Sequence, residues 1–216
     1  AAGDAWSKRS AADEWDDASL RAGTDRFASA LRRIGVAPRF VSDAQVAGGA
    51  LHGLRALILP DVLALSPEAA AAIRGFAAQG GLVIAEGETG RFDAHGRRLL
   101  TSPVAGLPSH RLAAADVTPD RLRSLLADAG VRPAFRLLGP DGRTASDVDA
   151  YARADGGQLI LALQSAHDGG AVVLALPHPR MITDLLASKK LGRTDRLSVA
   201  LDPAVPTLLA VGQPQN

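Results

Sequence analysis

Four titratable side chains lie close together in a glycine-containing segment of the sequence. Glu86, Glu88, Asp93 and His95 follow the apolar run 82–85. Carboxylates and an imidazole can act as general acids and bases, or can supply oxygen and nitrogen ligands to a metal. The pattern also fits a solvated loop whose carboxylates face water, because no metal-binding spacing such as HExxH is present. We keep the four as candidate ligand-binding residues and predict no catalytic residue, no metal and no cofactor.

The common nucleophile and nucleotide motifs are missing. The absence of cysteine excludes disulfides, thiolate metal sites and cysteine nucleophiles. No GxSxG elbow occurs, and Ser66, which precedes Pro67, is better explained as a helix N-cap than as a catalytic hydroxyl. Neither GxGxxG nor GxxxxGK[ST] follows an apolar run, which argues against dinucleotide and P-loop functions.

Length and charge exclude further classes. The chain has 216 residues, with 24 Lys and Arg against 23 Asp and Glu. It is therefore too short for a (β/α)₈ barrel, which needs roughly 250 residues. The formal net charge of +1 argues against a nucleic-acid partner. No run of about 18 apolar residues occurs, so we expect no membrane span. We also expect a cytoplasmic location.

The first half of the sequence predicts an α/β fold with a parallel sheet. A helix is predicted to end at Gly35, and its apolar face is formed by Leu20, Phe27, Leu31 and Ile34. Strands are predicted at 39–42, 56–59 and 82–85, with a helix that starts at Ser66 between the last two. Ligands of open α/β sheets bind at the carboxyl ends of the strands, which is where the Glu86 group falls.

The second half predicts an antiparallel β region. A helix starts at Thr118 and ends at Gly130, and beyond residue 134 the hydrophobic period changes to two. A turn is predicted at 177–179, and the polar turn 139–142 marks the predicted boundary between domains 1–138 and 139–216. Six short β-type runs favour a small antiparallel β-sandwich: 147–154, 158–164, 171–176, 180–184, 196–201 and 206–211.

Two further groups of side chains are more simply explained by structural roles. Trp6 and Trp15 could stack on sugar rings, although tryptophans more often fill a core or an interface. The arginines of the first helix are predicted to occupy a solvated face: Arg21, Arg26, Arg32 and Arg33.

An ordered series of segments between Phe40 and Gly96 resembles a known family. The series is FVSD at 40–43, LRALILP at 54–60, ALSPEA at 64–69, IRGFAAQGGLVIAEG at 73–87 and GRFDAHG at 90–96. It resembles the trimerisation domain of the β-galactosidases of glycoside hydrolase family 42 and related bacterial hydrolases. ITDL at 182–185, LGRTD at 191–195 and PTLLA at 206–210 resemble the strands of the β-sandwich that closes such enzymes. The resemblance spans about residues 19–212.

The resemblance implies a flavodoxin-like α/β domain, similar in fold to class I glutamine amidotransferases. Those enzymes use a cysteine nucleophile that this chain lacks, so glutaminase activity is excluded. Residues 1–18 contain no good apolar strand, whereas the family's α/β domain usually begins with one. We therefore expect the C-terminal piece of a larger hydrolase, whose two catalytic carboxylates lie on a barrel absent from this chain.

Three hypotheses follow. The first is a non-catalytic accessory region of a β-galactosidase-like glycoside hydrolase, which forms homo-oligomers and has the barrel of the parent protein as its partner. The second is a carbohydrate-binding or sensing module that uses Glu86, Glu88 and Asp93. The third is a stand-alone metal-assisted hydrolase that uses Glu86, Asp93 and His95.

Overall fold

The computed structural model describes residues 17–145, 148–155, 157–165 and 169–212. These residues form two compact units. The first combines the described residues up to Ala28 with Arg39–Val131, and the second combines Ser29–Pro38 with the described residues from Arg132 onward. The first helix therefore contributes residues to both units. The predicted domain limits, 1–138 and 139–216, stay predictions.

Helix α1 spans Asp17–Arg33, and Gly35 lies just beyond its C-terminus as the predicted stop. Gly35 has a φ of +73°, in the left-handed region that favours glycine. Its N–H donates to the carbonyl of Arg32, and the N–H of Val36 donates to the carbonyl of Leu31. This pair of bonds is the Schellman arrangement, which satisfies carbonyls of the last turn. Leu31 and Ile34 are buried, as the predicted apolar face requires, whereas the side chain of Leu20 lies outside the described residues.

A three-stranded parallel sheet forms the centre of the first unit. Strands β1 (Ala56–Leu59), β2 (Leu82–Glu86) and β3 (Ser109–Leu112) pair in the order β1-β2-β3. Four further helical segments accompany them: α2 (Asp43–Ala47), α3 (Pro67–Ala78), a 3₁₀ turn (Ala114–Asp116) and α4 (Pro119–Asp128). The core contains aliphatic side chains of both kinds of element, including Leu59, Ile73 and Val83.

The helix starts follow the sequence signals. The Ser66 hydroxyl accepts a hydrogen bond from the Ala69 N–H at 3.1 Å, and Thr118 caps α4 through the Arg121 N–H at 3.2 Å. In both helices proline follows the cap, where its missing N–H costs nothing. The predicted N-cap at Ser66 and the predicted helix start at Thr118 are confirmed.

The second unit contains a six-stranded antiparallel sheet. Its strands are β4 (Arg136–Leu138), β5 (Val148–Asp155), β6 (Gln158–Ser165), β7 (Gly170–Asp184), β8 (Lys189–Leu201) and β9 (Thr207–Gly212). They pair in the order β4-β7-β9-β6-β5, and β8 lies along β7. Burial alternates along β6, where Leu161 and Leu163 face a core that also contains Leu174 and Leu209.

Strand β7 joins two segments that the sequence separated by a turn. The register to β8 shifts between Ala175 and Arg180, because Pro177 and Pro179 cannot donate ladder hydrogen bonds. Before this bulge β7 pairs with β4, and after it β7 pairs with β9. The prediction of a turn at 177–179 was therefore wrong. One strand continues through the prolines with a shift of register and changes its neighbour.

The α/β region followed by an antiparallel β region is confirmed. All six strands of the second unit belong to one hydrogen-bonded sheet, which fits a small β-sandwich only loosely. The predicted strand at 39–42 is wrong, because Ser42 instead caps α2 in a capping box with Gln45. Strands β3 and β4 were not predicted. Among the described residues, no helix is long and apolar enough to cross a membrane.

Candidate functional site

Two acidic residues meet at the carboxyl ends of β1 and β2. Glu86 is the last residue of β2, and Asp61 follows β1 by two residues. The strands run parallel with Leu59 opposite Ala85, so the chain direction brings both carboxyl groups to the same edge of the sheet. This edge is where open α/β sheets bind ligands. We call Asp61, Glu86 and the contacting Arg26 the strand-end cluster.

Glu86 is a buried carboxylate held by one arginine. Its side chain is 7% exposed, and its Oε1 lies 2.6 Å from Nη2 of Arg26, whose side chain is 33% exposed. The second oxygen, Oε2, is buried without a hydrogen-bond partner, as is Nε of Arg26. Since the arginine contacts one of the two oxygens, half of the buried carboxylate is left unsatisfied.

Two glycines leave space for the carboxyl groups. A Cβ on Gly23 of α1 would lie 3.1 Å from Oε2 of Glu86, and one on Gly87 would lie 2.3 Å from Oδ1 of Asp61. Gly87 also has a φ of +65°. Side chains at these positions would therefore push into the strand-end cluster.

Asp61 has an unusual conformation and a perturbed proton affinity. Its φ is +49°, a conformation that aspartate and asparagine tolerate better than most residues. Burial raises the pKa of its carboxyl group above the ordinary value of 3.8, and the charges of Glu86 and Glu88 raise it further. The guanidinium of Arg26 opposes this shift in the pKa without cancelling it. Asp61 thus has a raised proton affinity.

The other three candidate residues have different surroundings. Glu88 is 68% exposed and pairs with Arg91 at 2.8 Å. Asp93 accepts backbone hydrogen bonds from the N–H groups of His95 and Arg97 in a turn, at 2.8 and 2.9 Å. These bonds, led by that from Arg97, lower the pKa of Asp93. His95 is exposed. The four candidates therefore do not form one cluster, and no metal-ligating cluster exists within the described parts of the chain.

Sequence reasoning did not choose two members of the strand-end cluster as candidate residues. Asp61 was recognisable only as a residue after a strand. Arg26 was assigned to a solvated helix face, which was wrong, because its guanidinium contacts Glu86. Arg32 lies 4.8 Å from the ring centroid of Tyr151, while Arg21 and Arg33 are exposed. Trp6 and Trp15 lie outside the described residues.

The cluster is suited to holding charge and a proton. In this arrangement neither carboxylate oxygen of Glu86 is open to an external substrate, because Arg26 contacts Oε1 and Oε2 is buried. Asp61 is partly exposed and has a raised pKa, so it can exchange a proton with solvent.

Comparison with solved structures shows what the fold resembles. The β-galactosidase from Bacillus circulans sp. alkalophilus superposes with a TM-score of 0.69 over 97% of this chain, at 12% identity. The β-galactosidase from Rahnella sp. R3 has a TM-score of 0.60 over 87%, at 15% identity. A family 42 exo-carrageenase from Bacteroides ovatus has a TM-score of 0.56 over 88%, at 13% identity. The predicted resemblance to family 42 enzymes is confirmed at the level of fold.

The match covers only part of each enzyme. This chain spans 40% of the Bacillus enzyme, 36% of the Rahnella enzyme and 26% of the Bacteroides enzyme. The sequence itself matches no protein-family profile and no curated protein. The chain thus has the fold of one region of larger glycoside hydrolases.

Proposed function

We propose that this chain is a non-catalytic accessory and oligomerisation region of a β-galactosidase-like glycoside hydrolase, which works beside a catalytic barrel. The observation that carries the proposal is the match to the Bacillus β-galactosidase, which extends over 97% of this chain but 40% of that enzyme. A region that accounts for less than half of an enzyme, and for nearly all of this chain, is best explained as one module of a similar protein.

The proposal also covers the fold class of the first unit. We assign it to the flavodoxin-like, amidotransferase-like class that the sequence resembles, in which the domain mediates trimerisation. Its parallel order β1-β2-β3, with α3 between β1 and β2, is compatible with such a sheet. The chain has no cysteine, so this fold would act here without amidotransferase chemistry.

The strand-end cluster supports a non-catalytic role. Glycoside hydrolysis requires two carboxyl groups that flank the scissile bond, about 5 to 5.5 Å apart in retaining enzymes. Both must reach the substrate, yet neither oxygen of Glu86 is available to one. Asp61 and Glu86 therefore do not make a glycosidase pair.

Two measurements on the purified chain test the proposal. With aryl-galactosides as substrates we expect no turnover, and hydrolysis that copurifies with the chain would refute the non-catalytic role. Sedimentation equilibrium over a concentration series should give a mass that is a multiple of the 22.3 kDa chain, three times that mass for a trimer. A monomer at all concentrations would refute the oligomerisation role.

Sugar binding is a second candidate, because Asp61 and Glu88 both reach solvent at the strand ends. Carboxylates accept hydrogen bonds from sugar hydroxyls. Titration calorimetry with mono- and oligosaccharides should then show heat that Glu88→Gln reduces. An absence of heat with every sugar at millimolar concentration would count against this candidate.

A further inference from the structure

The strand-end cluster has fewer donors than its carboxylates need. Arg26 of α1 donates to Oε1 of Glu86, whereas Oε2 is buried with no partner. A buried carboxylate oxygen without a donor is costly, and a neighbouring carboxylate increases that cost. A proton bound in the cluster would remove one negative charge and create one donor.

The charged groups near Asp61 lie on α1, on β2, on β3 and in the loop that follows β2. Arg26 lies on α1 and Glu86 ends β2, while Glu88 in the following loop is paired with Arg91. Arg111 of β3 donates to the carbonyl oxygen of Gly87 at 3.2 Å. Arg26 is thus the cation that faces both carboxyl groups among the described residues, and its bond to Glu86 is already made.

Gly23 places α1 close to both acidic side chains. A Cβ added to Gly23 would lie 3.1 Å from Oε2 of Glu86 and 3.8 Å from Cβ of Asp61. The absence of a side chain at Gly23 therefore lets α1 pack closely against the strand ends. A change of charge in the strand-end cluster acts directly on this contact.

We propose that a proton bound by Asp61 controls how firmly α1 is held against the ends of β1 and β2. When Asp61 is ionised, it repels Glu86 and competes with it for Arg26. When Asp61 is protonated, the repulsion is removed, Arg26 interacts with Glu86 alone, and the Asp61 hydroxyl is available as a donor. The cluster is then a pH-sensitive contact on α1, independent of whether the chain serves a glycoside hydrolase.

The direction of the pH effect follows from linkage. Since the folded state raises the pKa of Asp61, folding strengthens proton binding there. The stabilisation is fully present below the unfolded pKa of 3.8 and is lost as the pH rises through the raised folded pKa. The contact should therefore be tighter at lower pH within this window.

Hydrogen exchange read by mass spectrometry tests the proposal on the whole chain. We compare protection factors of α1 residues 21–28 at one pH below and one pH above the midpoint of the Asp61 titration, which carboxyl NMR measures, corrected for intrinsic exchange. In the wild type we expect higher protection at the lower pH. Asp61→Asn keeps the shape and suits the φ of +49°, and it should give equal protection at both values. The exposed Asp116→Asn is the matched control and should behave as wild type.

Two results would overturn the proposal. One is an unchanged pH response in Asp61→Asn. The other comes from ¹³C carboxyl NMR of the wild-type chain, which needs no variant to fold: a titration of Asp61 at or below its ordinary value of 3.8 excludes the proton. Added K⁺, Mg²⁺ or Ca²⁺ at constant ionic strength should leave α1 protection unchanged. If one of them replaces the effect of acid, the cluster binds a cation instead.

Discussion

Gly35 should be among the least replaceable residues of the second unit. Its φ of +73° costs a residue with a Cβ about 1–2 kcal/mol, because the side chain then crowds the following carbonyl. A Cβ at Gly35 would also lie 1.8 Å from the carbonyl oxygen of Phe135, whereas such atoms normally stay about 3.3 Å apart. Gly35→Ala therefore combines two penalties at one position.

The second penalty is a backbone clash that cannot be relieved by rotating a side chain. Phe135 is 2% exposed in the core, and the Ala134 N–H donates to the carbonyl of Gly35 at 3.0 Å. Moving this segment disturbs both the packing and the hydrogen bond, and overpacking of this kind costs about 1–3 kcal/mol. We expect Gly35→Ala to lose about 2–5 kcal/mol of unfolding free energy in total.

Gly142 provides the matched control in the same unit. Its φ is +76°, nearly that of Gly35, but a Cβ there would have no atom within 4 Å. Gly142→Ala should lose only the conformational part, about 1–2 kcal/mol. Urea and thermal unfolding measure the stability of both variants. For a chain of this size, each kcal/mol lost lowers Tm by about 2–4 °C. If Gly35→Ala loses no more stability than Gly142→Ala, the clash argument is refuted.

Three further predictions concern the first unit. Gly87→Ala should lose about 2–4 kcal/mol of unfolding free energy, because of its left-handed φ and its contact with Asp61. Asp61→Gly in the Gly87→Ala background should recover part of that loss. If the effects of the two substitutions simply add, the contact is contradicted. Ser66→Ala should lose about 1 kcal/mol in urea unfolding because α3 loses its N-cap, while Ser66→Asp should keep most of the stability. Asp93→Ala should destabilise the chain near neutral pH, because the turn loses two hydrogen bonds. Since the folded state lowers the pKa of Asp93, that difference should shrink as the pH falls through the lowered pKa, and a difference that grows in acid would contradict the assignment.

The candidate site shows where sequence reasoning stopped. Glu86 was found because a carboxylate after a buried strand is a local signal. Its partners Asp61 and Arg26 are 25 and 60 residues away along the chain, and no local pattern connects them. The proximity of Glu88, Asp93 and His95 in sequence suggested a shared site, yet the turn at Asp93 and the ion pair of Glu88 give them separate surroundings.

By itself, the sequence determined the elements whose signals are local. Three local signals predicted helices and strands that the structure confirms. They are a proline after each capping residue at Pro67 and Pro119, Gly35 after an apolar face, and the change to a hydrophobic period of two residues. The tertiary structure alone decided that one strand continues through Pro177 and Pro179 with a register shift, and that Arg26 pairs with Glu86. The physical reason is that caps and hydrophobic periods depend on neighbours a few residues apart. Strand partners and buried charges depend instead on residues that only the folded backbone brings together.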